Sequence, residues 1–176
     1  MLKAYFTDLS AYNSWANYKA MDWLCQIDDE QWERANVSSF SSVKKTAVHL
    51  ASAEKIWIDF WTTVKNPVYL SSEFAGTRDE LIDIWSAASK GLDSFIQRHP
   101  EEDYMRSVIF VYPNGKTGQM PYYQTFAHII NHSTYHRGQL VTLLRQVGYH
   151  QFSSIDLATY HILKQASLIV EDPLKR

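Results

Sequence analysis

Apolar residues recur at steps of three and four along most of the chain, the period of a helix with one buried face. In the first segment Leu2, Tyr5, Phe6, Leu9, Tyr12, Ala16, Ala20, Trp23, Leu24 and Ile27 keep that period until Asp28 and Asp29 break it. A second helix is predicted from Ser41 or Ser42, either of which can cap the unpaired N–H groups of a first turn. It runs through His49, Ala53, Ile56, Trp57, Phe60, Trp61 and Val64, and Asn66-Pro67 stops it, because proline cannot continue the ladder. A third helix opens at Thr77-Arg78-Asp79-Glu80, which has the spacing of a capping box. Leu81, Ile84, Trp85, Ala88, Leu92 and Phe95 carry it to His99-Pro100. The period then changes. Val108-Ile109-Phe110-Val111-Tyr112 is rich in strand formers and Pro113-Asn114-Gly115-Lys116 is a turn, so a short hairpin is expected. A fourth helix is predicted from about Pro121 to Val147, ended by Gly148, and a shorter one from about Ser154 to Ile169. Long helices joined by short connections make an all-α four-helix bundle with an inserted β-hairpin and a C-terminal helix.

Composition narrows the class. The chain has 176 residues, which favours one domain over 1–176, and 45% hydrophobic residues can bury a sizeable core without disulfides. Lys and Arg total 17 against 19 Asp and Glu, with no basic stripe, so nucleic acid is not an expected partner. The single Cys25 suits a reducing compartment. No run resembles a signal peptide or a membrane span, so a cytoplasmic location with no membrane partner is expected.

Chemistry concentrates on the fourth helix, which contains His128, His132 and His136. At about 100° per residue, His132 and His136 lie about 40° apart on one stripe with Thr125, Ile129, Leu140, Leu143 and Val147, facing the bundle interior. Histidines four apart can share an ion, as in the zinc-binding His-Glu-x-x-His helix. Ser133 stands where that helix has its glutamate, so a metalloprotease-type hydrolase is rejected. His128 and His136 are about 12 Å apart along the axis, too far to share one ion. A third ligand must come from another helix, and His49 is the best placed, being mid-helix and in phase with Ala53, Ile56 and Phe60. Asp and Glu are numerous, yet spacing puts none beside His132 or His136, and Glu54 points away from the face of His49. The competing reading is a set of core histidines held by hydrogen bonds. Three histidines on one ion would leave a fourth position open for water or substrate.

The run Asn131-His132-Ser133-Thr134-Tyr135-His136-Arg137-Gly138-Gln139-Leu140 resembles the signature of the DinB-like (DNA-damage-inducible, YfiT-like) family. His49-Leu50-Ala51-Ser52-Ala53-Glu54-Lys55-Ile56-Trp57 is similar to its second-helix histidine segment, and Ser153–Tyr160 to its closing segment. The resemblance implies an up-down-down-up bundle and metal ligation by His49, His132 and His136. The ion would be nickel or zinc, with manganese or iron as further options, and the assembly a homodimer. Relatives include thiol-dependent S-transferases and a maleylpyruvate isomerase, which implies a metal-dependent transferase joining a low-molecular-weight thiol to a small electrophile. The alternative is a non-catalytic metal-binding stress-response protein. No catalytic residue is assigned.

Other features carry less. Gly115-Lys116-Thr117 ends like a phosphate-binding loop, but Phe110 stands where that motif needs glycine. Cys25 is expected to pack as a small hydrophobe, and Trp15, Trp23, Trp57, Trp61 and Trp85 to fill core or interface. Arg137 is read as structural or as a subunit contact, with anchoring of an anionic substrate as its alternative. Phe126, Arg137, Val141 and Leu144 form a second face of the fourth helix, offered as a dimer surface. Tyr135 and Gln139 flank the histidines and can reach a pocket or a neighbouring helix.

Overall fold

Local signals set the ends of most elements in the computed structural model, which describes residues 1–70 and 74–167. Helix α1 (Leu2–Cys25) is followed by a short α2 (Asp29–Glu33), then α3 (Val43–Trp61) and α4 (Arg78–Arg98). Strands β1 (Ser107–Val111) and β2 (Thr117–Pro121) precede α5 (Tyr122–Gln146) and α6 (Leu157–Gln165). Ser42 caps α3, and Thr77 with Glu80 closes the capping box of α4. Asp28, read above only as a breaker, starts α2. It accepts from Gln31 N at 2.7 Å while its own N–H donates to Gln31 Oε1 at 3.0 Å.

Two boundaries differ from expectation. Helix α3 stops at Trp61, ahead of Val64, because Thr63 takes a left-handed φ of 54°. Thr63 N then donates to Phe60 O and Val64 N to Asp59 O, a Schellman closure made without glycine. Helix α6 begins at Leu157, three residues after Ser154, where Asp156 caps Ala158 N at 2.8 Å. Its expected end at Ile169 lies outside the described residues.

The four long helices form a ring in which α1 packs on α4, α4 on α3, α3 on α5, and α5 on α1. The β-hairpin pairs Ser107 with Pro121 through Val111 with Thr117, and Gly115 supplies the positive φ of its turn. Val108 and Phe110 point inward, and the Phe110 ring meets Trp57 at 5.1 Å.

Burial divides the bundle into three layers. One apolar core takes Met21, Leu24, Leu50, Leu81, Trp85, Leu140 and Leu144, from one end of each long helix. A second takes Phe6, Trp57, Trp61, Ile96, Phe126 and Ile129, closed by Tyr104 and the hairpin. Between them in sequence, on all four helices, fall buried polar residues: Asn13 and Asn17, Glu54, Ser89, and Ser133 with Arg137. Among the described residues, no helix is long and apolar enough to cross a membrane.

Candidate metal centre

Helix α5 carries two pairs of polar residues one turn apart, and they point into different places. His132 and His136 turn toward α3, where His49 Nε2 lies 3.0 Å from His132 Nε2 and 3.2 Å from His136 Nε2. One nitrogen from each of the three lies within 4.8 Å of the others, and the group could hold a metal ion. Ligands about 2.05 Å from a common ion stand about 3.3 Å apart at a tetrahedral angle and about 2.9 Å at a right angle. The observed His49 separations fall inside that range, so the donor set fits a divalent ion.

The surroundings favour neutral imidazoles. Burial, with the neighbouring His136 second, pushes His132 down to about 3 and His49 down to about 4. His136 is also lowered by burial, against the opposing pull of its hydrogen bond to Gln139. Neutral imidazole is the form that ligates metal. His136 Nδ1 stands 2.7 Å from Gln139 Oε1, which places the proton on Nδ1 and leaves the Nε2 lone pair facing the cluster. His132 Nδ1 is buried with no hydrogen-bond partner among the described residues. Phe40, from the segment before α3, stacks on His49 at 4.2 Å and meets His136 edge-on at 5.5 Å.

The second pair, Ser133 and Arg137, is fully buried, Ser133 against Glu54 of α3 and Arg137 against Asn13 and Asn17 of α1. Glu54 Oε1 accepts from Asn13 Nδ2 and Asn17 Nδ2, each at 2.7 Å, and from Ser133 Oγ at 2.9 Å. Arg137 donates to Asn13 Oδ1 at 2.6 Å, Asn17 Oδ1 at 2.7 Å and Thr134 Oγ1 at 3.0 Å. Each asparagine thus receives from the cation through its oxygen and gives to the carboxylate through its nitrogen. Burial raises Glu54 above the usual carboxylate range, while the two asparagines, Arg137 and Ser133 pull it back. Burial likewise lowers Arg137.

The histidines separate as the spacing predicts. His49, His132 and His136 converge, whereas His128 is exposed on α5 with its ring edge-on to Trp57 at 5.4 Å. Tyr135 is exposed but meets the His136 ring at 4.9 Å. Several expectations are overturned. Arg137 is sealed inside the chain, which removes both the subunit contact and the anion anchor. Phe126 and Leu144 are equally buried within one subunit, so the proposed dimer face is internal. Cys25 is exposed at the end of α1 instead of packed. Phe40 and the Glu54 layer went unread. The available signal for the layer was Asn13 and Asn17, four apart on the buried side of α1 beside Ser10 and Ser14.

A ring of four long helices with a hairpin at one end, holding three converging imidazoles between two of the helices, defines a class of helical candidate metalloproteins. The family model of the DinB family matches residues 1–166, and the chain belongs to that family. It is 25% identical over 148 residues to Protein DinB of Bacillus subtilis (strain 168), a match spanning 80% of this chain and 85% of that protein. Its fold is similar to the crystal structure of a DinB-like protein from Bacillus cereus ATCC 10987. That likeness has a TM-score of 0.58 and 20% identity, over 80% of this chain and 91% of the other.

Proposed function

We propose that His49, His132 and His136 ligate a divalent ion, nickel or zinc first, and that the chain is a metal-dependent enzyme joining a small thiol to a small electrophile. The observation that carries this is the Nε2 convergence with no fourth protein donor grouped beside it among the described residues. Structural zinc sites are almost always closed by four protein ligands, whereas three ligands and an open position belong to catalytic ones. A bound ion of this kind would act as a Lewis acid and favour the thiolate form of a thiol. The chain's own residues supply the rest. Gln139 keeps the proton of His136 on Nδ1, and Phe40 covers one face of His49 and limits water there. The thiol class and the homodimer come from the DinB resemblance, and the cytoplasmic location from the lone cysteine, which suits a reducing compartment. Any dimer surface lies away from Phe126, Arg137 and Leu144.

Metal analysis of protein purified without a histidine tag or metal column tests the ligand set, with about one ion per chain expected. Screening low-molecular-weight thiols against electrophiles then tests the reaction. A metal-loaded protein inactive across that screen would favour a non-catalytic binder.

A further inference from the structure

We propose that the cleft between the 37–40 segment and the second half of α5 binds a small uncharged compound bearing a carbonyl, with a body about the size of one aromatic ring. This deepens the metal-dependent transferase reading and rests on it for the identity of the neighbouring site. The cleft has a volume of about 190 Å³, and its walls include Phe40, Thr46, Gln139, Thr142, Leu143 and Gln146. Two of these also touch the histidines. Phe40 stacks on His49, and Gln139 accepts from His136, so an occupant would lie against the candidate metal centre. Two other cavities among the described residues differ on this point. A cavity of about 280 Å³ is walled by Glu33, Lys44 and Lys45, and one of about 630 Å³ by Arg145 and Asp156, and neither is lined by Phe40 or Gln139.

Charge and hydrogen bonding select the occupant. No lining side chain of the cleft ionises, so a charged guest would give up water without gaining a counter-ion. Thr46 and Thr142 spend their hydroxyl protons on Ser42 O at 2.9 Å and Gly138 O at 3.2 Å. Gln139 Oε1 is taken by His136, whereas Gln139 Nε2 has no acceptor among the described residues. Beside the histidines the cleft therefore offers the Gln139 amide N–H and asks for an acceptor, which a carbonyl provides, while the Gln146 carboxamide at its exposed wall can donate or accept. Phe40 and Leu143 supply apolar walls, and a cavity of about 150 Å³ is known to hold benzene.

Titrating the full chain with benzamide, benzoate and benzylamine tests the proposal. The titrations are followed by NMR of the imidazole and carboxamide signals, on chelator-treated and zinc-loaded protein. Benzamide is expected to bind in the millimolar range and to shift the Gln139 carboxamide and the His136 ring. In metal-free protein the two charged analogues should bind at least tenfold more weakly. Thr142→Trp, at an exposed wall position, should abolish benzamide binding and leave zinc content unchanged. Equal affinity for all three probes, shifts confined to other residues, unaltered binding in T142W, or no binding at all would overturn the proposal. Zinc content is measured separately. Benzamide binding without any zinc uptake would sink the metal reading and leave the cleft standing.

Discussion

His132 and Ser133 are neighbours, as are His136 and Arg137, yet the two pairs live in opposite conditions. The Ser133–Arg137 side is closed. Asn13 and Asn17 are shared between cation and carboxylate, and Glu54 Oε1 is satisfied three times over. On the His132–His136 side the imidazole nitrogens face one another instead. Among the described residues only His136 has an outward hydrogen-bond partner, Gln139, and burial keeps the others uncharged. A step of one residue turns a helix by about 100°, which is enough to divide a sealed structural layer from a half-buried donor cluster. The difference teaches where polar groups serve the fold and where they wait for a ligand. A network that shares two asparagines between cation and carboxylate supplies most of its own partners, leaving Glu54 Oε2 and Arg137 Nε without one among the described residues. On the other side three imidazole nitrogens converge on one another.

The largest break is expected on the sealed side. Arg137→Met removes the cation whose charge acts on Glu54 across the two asparagines and strands a fully buried carboxylate, and losing one partner of a buried pair costs about 3–5 kcal/mol. Urea unfolding of metal-free protein measures this. A loss below about 1 kcal/mol would mean that the layer is not the tightly coupled unit described. On the open side, His136→Ala should remove most of the metal while the metal-free protein loses far less stability than in R137M. Metal content and thermal unfolding of the same sample check both halves. Full retention of metal refutes the ligand assignment, and global unfolding on metal loss would favour a structural role for the ion.

The histidine half of this division could be read from the chain, for a physical reason. Hydrophobic period specifies which residues face inward, so the four long helices, the hairpin and the inward phase of His49, His132 and His136 follow from it. Period does not say which neighbour an inward residue meets. Arg137 shares its stripe with Phe126 and Leu144, and that stripe reads equally as a subunit contact or as core. Only the partners Asn13, Asn17 and Glu54, on two other helices, decide it. Phe40 was illegible for a different reason. It sits in an irregular segment, where no period ties a side chain to a face. The Schellman closure at Thr63 escaped because the left-handed residue is a threonine, not glycine.

Acid should act on the two sides with opposite sign. His49 and His132 are held below their ordinary 6.5, so the unfolded chain takes up their protons first. Their contribution is fully present above pH 6.5 and is lost as pH falls toward about 4 for His49 and about 3 for His132. Glu54, held above the usual carboxylate range, works the other way and favours the folded state in acid. Comparing chelator-treated wild type with His132→Asn from pH 7.5 down to 4.5 isolates the histidine part. Wild type should lose stability more steeply than the variant. Parallel curves would show that His132 titrates as it does in the unfolded chain.

The smallest effect tests whether the two sides are independent at all. Ser133 belongs to the sealed side and adjoins His132 in sequence, and its hydroxyl gives Glu54 Oε1 one of three donors. Ser133→Ala leaves the two asparagine donors and the Arg137 relay in place, so the carboxylate keeps partners. The loss should be that of one hydrogen bond, about 1 kcal/mol, with little steric change because serine and alanine differ by a single atom. Zinc affinity, read by competition with a chelator of known strength, should stay within a factor of about two, because no imidazole loses a partner. A loss approaching the 10–100-fold typical of groups that orient metal ligands would show that Ser133 transmits the position of α5 to His132. The sealed layer would then be part of the metal centre, and the separation between the two faces of α5 would have to be abandoned.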